Sequence, residues 1–134
     1  MDATEVLPVV AILSVVTVEF GGHVLLRFVT TGRDRLGEFR ERFFRAGHAH
    51  AGVLLVLSLV YLLYLPRTGF TGGAQWLLGV VLLVGVLAQS GGFFVHLAVG
   101  KAGERSAGTL LTRCGGLLLA VALAGLAAGL IQAA

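Results

Sequence analysis

The stretch GVLLVLSLVYLLYL, residues 52–65, contains no charged side chain and no alternation of polar with apolar residues. A strand of a membrane β-barrel needs that alternation, because its two faces meet lipid and lumen. A continuous apolar helix is the other structure that satisfies backbone hydrogen bonds inside a bilayer. This stretch therefore predicts a transmembrane helix.

Four apolar runs of this kind make up most of the chain, at about 6–29, 47–66, 73–99 and 106–131. Each approaches or exceeds the roughly 20 residues that cross the hydrocarbon core of a bilayer. The 134 residues are 57% hydrophobic and 13% charged, whereas soluble domains are about 25% charged. The sequence predicts an all-α, integral membrane four-helix bundle, a single transmembrane domain over residues 1–134 that crosses the cell membrane several times.

Positive charge is concentrated between the first and second runs. That link carries most of the arginines, namely Arg33, Arg35, Arg40, Arg42 and Arg45, with Arg27 at its edge. Lys101 and Arg105 lie between the third and fourth runs, whereas the opposite side has only Arg67. Because positive loops stay in the cytoplasm, both termini are predicted to lie outside. The arginines alternate with acidic residues, so the net charge of +3 does not indicate a nucleic-acid partner.

The link itself, TGRDRLGEFRERFFRAG, places Leu36, Phe39 and Phe43 at helical spacing. This pattern predicts a short amphipathic helix on the anionic lipid of the cytoplasmic leaflet, although a solvated charged loop is the alternative. In the last run, Gly125 and Gly129 have the GxxxG spacing of close helix contacts. Either a contact within the bundle or a homodimer interface would explain them.

Ionisable side chains within the first run form one stripe, because Glu19, His23 and Arg27 are spaced four residues apart. With a rise of ~1.5 Å per residue, Glu19 lies roughly 15 Å from the cytoplasmic end of the run, near the middle of the bilayer. An ionisable group at that depth predicts a functional residue. We predict that Glu19 is a catalytic or proton-coupling carboxylate. A structural ion pair with Arg113 is the alternative.

All four histidines fall in the cytoplasmic half of the predicted bundle. They are His23, His48, His50 and His96, and together with Glu19 they are candidate ligands of a metal ion, Fe or Zn, or of haem b. Residues two apart on a helix point about 200° apart. His48 and His50 can therefore share one ion only if the helix is unwound at Gly47. The alternative is that each histidine hydrogen-bonds a lipid headgroup or a backbone carbonyl.

Further polar residues could line such a cofactor pocket. Tyr61 shares a helix face with His50, Gln89 lies at the depth of Glu19, and Arg113 is slightly shallower. With these residues, the leading hypothesis is a metal- or haem-binding membrane protein suited to oxidoreductase chemistry. A small proton-coupled transporter that uses Glu19, and a non-catalytic subunit of a membrane complex, are the alternatives. No phosphate loop, nucleophile elbow, CxxC or HExxH motif is present.

Overall fold

The computed structural model describes residues 1–31 and 37–134. These residues form four α-helices: α1 (Ala3–Thr31), α2 (Glu38–Tyr64), α3 (Gly73–Val99) and α4 (Ala107–Gln132). Each of the four is long and apolar enough to cross a membrane. For the described residues, the predicted all-α architecture of four helices is confirmed, and the length and composition of these helices are compatible with a multi-pass membrane protein. The choice of membrane and the outside location of both termini stay predictions.

Helix α2 begins well before the predicted apolar run at 47. From Phe39 onward, the segment predicted as a separate amphipathic helix forms the first turns of α2. Two exposed ion pairs at i, i+4 spacing, Glu38–Arg42 and Glu41–Arg45, contribute modestly to the stability of these turns.

The remainder of that prediction cannot be compared, because Arg33, Arg35 and Leu36 lie outside the described residues. A contact of the basic link with anionic lipid stays a prediction as well. Since Arg42 and Arg45 are paired with glutamates, Arg40 is the exposed arginine of this helical segment that forms no ion pair with a described residue.

Helices α3 and α4 meet along a row of small residues. Every seventh residue of α4 is small and buried: Gly108, Gly115, Ala122 and Gly129. A seven-residue repeat favours a left-handed supercoil, which keeps one row facing the partner helix. A Cβ atom added to Gly115 would lie 2.7 Å from the Cα of Gln89 and 2.8 Å from the carbonyl oxygen of Gly85. The two backbones are therefore in direct contact, which is how helices associate where lipid surrounds them.

The GxxxG pair of α4 also faces its own chain. A Cβ atom on Gly125 would meet the side chain of Leu78, 2.7 Å away, and one on Gly129 would meet Thr68 and Phe70. Of the two explanations predicted from the spacing, the structure supports the contact within the chain.

Helix α1 is attached mainly by its first third. Its buried residues are Ala3, Leu7 and Ala11, and Leu7 fits against α3 at Gly79. Farther along, Val15 and Val18 are partly buried against the core. The second half of α1 therefore covers α2 and α3 without the backbone contact that joins α3 to α4.

Candidate functional site

His96 joins the end of α3 to the beginning of α4. The side chain is 4% exposed, and its Nδ1 atom lies 2.6 Å from the Oγ atom of Ser106, so the two share a hydrogen bond. Ser106 is also the N-cap of α4, because its Oγ accepts a hydrogen bond from the backbone N–H of Gly108 at 3.1 Å. The backbone N–H of Ser106 in turn donates to the Thr109 hydroxyl, which completes a capping box. These contacts give His96 a structural role.

Two phenylalanines of α2 cover the ring of His96. The centroids of Phe43 and Phe39 lie 4.4 and 5.6 Å from that of the imidazole. They are four residues apart and therefore share a face of α2. The turns of α2 that were predicted to lie on the membrane surface thus pack against the end of α3.

His48 and His50 point in different directions, because α2 is helical through Gly47. His48 packs on α1, where a Cβ atom added to Gly22 would lie 3.1 Å from its Nε2 atom. The Nδ1 atom of His50 lies 2.9 Å from the carbonyl oxygen of Ala46, and its ring lies 4.7 Å from that of Phe93 in α3. The unwinding that a shared ion would require is absent.

The predicted ligands are distributed over several faces of the bundle. Glu19 and His23 are exposed on α1, while His48 faces α1, His50 faces α3 and His96 faces the start of α4. Among residues 1–31 and 37–134, no three His, Cys, Asp or Glu side chains are grouped so that they could hold a metal ion. The described residues therefore give no support to the predicted multi-histidine metal site.

The other predicted cofactor residues do not meet either. Tyr61 is 1% exposed, and its hydroxyl donates to the carbonyl oxygen of Ala122 in α4 at 3.1 Å. The backbone carbonyl of Gln89 accepts from the hydroxyl of Thr112 at 3.4 Å. Arg113 is exposed on α4. Each of the first two residues thus serves the contact of α4 with a neighbouring helix.

The predicted ion pair between Glu19 and Arg113 is not formed. Both side chains are exposed, and the ion pairs found in the described part of the chain both lie within α2. The reason is the order of the helices: α1 packs on α2 and α3, whereas α4 packs mainly on α3. The two charges are therefore on different sides of the bundle.

A cavity of about 410 Å³ lies between α1, α2 and α3, along the middle of α1 from Val10 to Gly21. Its walls are mostly aliphatic and aromatic, with contributions from Val10, Val18, Leu55, Leu83, Val86 and Phe94. Of the described residues, four with polar side chains also line it: Ser14, Thr17, His48 and Ser90. Sequence reasoning missed this cavity; the only signal was the occurrence of serine, threonine and glycine within otherwise apolar runs.

The polar groups of the cavity differ in their hydrogen bonds. Ser14 and Thr17 donate to carbonyl oxygens of their own helix, at 2.8 and 2.7 Å. The hydroxyl of Ser90 is buried and has no hydrogen-bond partner among the residues that the structure describes. A buried hydroxyl without a partner is unusual in folded proteins and needs an explanation.

Comparison of the chain with protein-family models, with curated proteins and with solved structures finds no match. Two features of the described residues remain to be explained by function. One is the polar stripe of α1, which consists of Glu19, His23 and Arg27. The other is the cavity that contains Ser90 and His48.

Proposed function

We propose that this chain is a non-catalytic subunit of a membrane assembly, in which the polar stripe of α1 is covered by α4 of a second copy. The observation that carries the proposal is the exposure of Glu19 and His23 in the middle of an apolar helix. An isolated bundle would present these groups to lipid. A second transmembrane surface would replace the lipid with polar partners.

The depth of Glu19 makes its exposure costly. It lies twelve residues from the Thr31 end of the 29-residue helix α1, which corresponds to about 18 Å of a helix about 43 Å long. A charged side chain at the centre of a transmembrane helix costs about 2.5–3.5 kcal/mol on insertion scales. Ionisable residues in membrane spans usually face protein or water for this reason, and assembly would provide such an environment.

Arg113 offers the opposite charge at a similar level. A chain of contacts relates the two depths: Gly22 meets His48, Gly47 meets Phe94, and Gly92 of α3 meets the first turns of α4. When depth is counted from these contacts at the helical rise, Glu19 of α1 and Arg113 of α4 differ in depth along the bundle by no more than about one helical turn, ~5 Å. Two copies side by side in one membrane could therefore bring the α1 carboxylate and the α4 guanidinium together.

Such an assembly uses different surfaces on the two copies. Because α1 and α4 lie on different sides of the bundle, the contact is heterologous and would continue from copy to copy until a ring closes. We therefore expect assemblies that contain more than two copies of the chain. The homodimer suggested by the sequence would require a symmetric contact instead.

Crosslinking tests the contact directly. Cys114, next to Arg113, is the single cysteine of the chain and is exposed. A Phe20→Cys variant adds a thiol on the exposed side of α1, beside Glu19, and is expected to form dimers and higher oligomers on oxidation in membranes. Val53→Cys, exposed on α2 at a similar level, is the matched control and should remain largely monomeric. Equal crosslinking of both variants, or none, would contradict the proposal.

Charge reversal tests the pairing. Glu19→Arg and Arg113→Glu should each reduce the oligomers seen by native mass spectrometry from nanodiscs, because each places like charges at the contact. The double variant should recover them. A monomeric wild-type chain that co-purifies with a different membrane protein would retain the subunit role but refute the self-assembly.

The other functions predicted from the sequence have less support in the described residues. Glu19 is exposed on α1 and is not among the residues that line the cavity, so the described residues offer no specific support for a proton pathway that uses it. The histidines do not gather around one point. Redox and transport roles are therefore not proposed further.

A further inference from the structure

We infer that the cavity between α1, α2 and α3 binds an uncharged, lipid-soluble molecule that has a carbonyl head and an apolar tail. The inference is independent of the proposed assembly, because it concerns the inner side of α1 and not the polar stripe. A volume of about 410 Å³ falls within the range of small-molecule sites, roughly 300–1,000 Å³. The largely apolar lining with a few polar groups is also typical of such sites.

The cavity has one polar end and one apolar end. His48, Ser90 and Gly21 line the end near the links that join α1 to α2 and α3 to α4, whereas Val10 and Leu83 line the other end. Val10 and Gly21 are eleven residues apart on α1, so the cavity extends for about 16 Å. This shape suits an elongated molecule whose head lies beside His48 and whose tail points toward Val10.

The available hydrogen-bond groups favour a carbonyl head. Ser90 is only 5% exposed, and its hydroxyl has no hydrogen-bond partner among the described residues. His48 likewise has no hydrogen-bond partner among the described residues, and its imidazole carries an N–H donor in either tautomer. Ser14 and Thr17, in contrast, already bond their own helix. Ser90 and His48 thus each line the cavity with a donor that has no described partner, which favours a ligand that carries an acceptor group.

The lining disfavours charged ligands and ordinary phospholipids. None of the described lysine, arginine, aspartate or glutamate residues lines the cavity, so an anionic or cationic head would lose its hydration without gaining a counter-charge from them. A phospholipid acyl chain could enter, but it would leave the hydroxyl of Ser90 without a partner. A neutral carbonyl compound satisfies both the apolar walls and the donors.

Binding of a decyl-substituted benzoquinone to the purified chain in lipid nanodiscs tests the inference, with empty nanodiscs as the reference. We expect saturable binding at one site per chain. Ser90→Ala should weaken binding about three- to tenfold, the effect of one net hydrogen bond. Ser58→Ala is the matched control, because Ser58 is also buried but bonds the carbonyl of Leu54 outside the cavity. It should bind as the wild type does.

Two further measurements distinguish the contribution of the carbonyl head from that of the apolar tail. Decylbenzene, which has no carbonyl, should compete at least tenfold less well than the quinone. Leu83→Trp should fill the apolar end and abolish binding. Absence of saturable binding above empty nanodiscs would overturn the inference. Equal competition by decylbenzene and the quinone, or wild-type affinity in the Ser90→Ala variant, would also overturn the inference. Neither of these two results depends on whether the Leu83→Trp variant folds.

Discussion

Gly115 and Gly116 are neighbours on α4 whose replacement by alanine should change stability in opposite directions. A Cβ atom on Gly115 would lie 2.7 Å from the Cα of Gln89, in the backbone of α3. A Cβ atom on Gly116 would have its nearest neighbour at 3.5 Å, the Oε1 atom of the same Gln89. The two variants therefore add the same methyl group to the same helix, once into the contact with α3 and once into available space.

The expected magnitudes follow from these distances. The nearest atom to the Cβ added at Gly115 is the backbone N of Gln89, at 2.2 Å. Carbon atoms in contact are about 3.5–4.0 Å apart, so the distance to the Cα alone requires Gly115→Ala to separate α3 from α4 by at least about 0.8 Å. A gap of that size removes about a quarter to a half of the dispersion attraction along the row, and overpacking of this kind costs about 1–3 kcal/mol. Gly116→Ala instead gains up to about 1 kcal/mol, because alanine loses less backbone entropy than glycine on forming a helix.

Reversible unfolding by SDS in mixed micelles, followed by circular dichroism, measures both changes. The free energy of unfolding should fall for Gly115→Ala and rise or stay constant for Gly116→Ala, with a difference of about 1–3 kcal/mol between them, the overpacking cost, because the gain in helix propensity is common to both. Equal effects, or a more stable Gly115→Ala variant, would refute the argument that α3 and α4 are joined by direct backbone contact.

Three further substitutions should change the same unfolding free energy. Ser106→Ala removes the N-cap of α4 and should cost about 1–2 kcal/mol. Tyr61→Phe removes a buried hydrogen bond to the α4 backbone and should cost about 0.5–1.5 kcal/mol. Tyr64→Phe, at an exposed position, should be nearly neutral. In ligand-free protein, Ser90→Ala should stabilise by about 1 kcal/mol, because it removes a buried hydroxyl without a partner, whereas Ser58→Ala should not stabilise.

The number and type of the helices could be predicted from the sequence because a bilayer allows few structures. A long apolar run without alternation has essentially one solution there. The beginning of α2 could not be predicted from hydropathy, since the helix includes a charged segment with the ion pairs Glu38–Arg42 and Glu41–Arg45. Phe39 and Phe43 lie on one face of a helix, as their spacing indicates, but that spacing does not show that both rings pack on His96.

The candidate site was less predictable than the fold. The depth of a side chain in the membrane follows from its position in the sequence, whereas the direction in which it points depends on how the helices pack. His23, His48 and His96 were placed in the same half of the membrane by counting residues. Counting does not show that α1 turns Glu19 and His23 outward, since this depends on which face of α1 carries Ala3, Leu7 and Ala11. The sequence of α4 does contain a seven-residue repeat of small residues, Gly108, Gly115, Ala122 and Gly129, in addition to the GxxxG pair.

Both proposals arise from the same property of α1, which is buried at Ala3, Leu7 and Ala11 and only partly covered beyond them. A cavity lies along the inner side of its middle part, from Val10 to Gly21, and the exposed polar groups Glu19 and His23 lie on its outer side. The two sides can nevertheless be separated by experiment. Substitutions at Glu19 should alter assembly and leave quinone affinity constant, and Ser90→Ala should do the reverse. If either variant changed both properties by the same factor, assembly and binding would be thermodynamically linked, and the position of α1 would be the element that couples them.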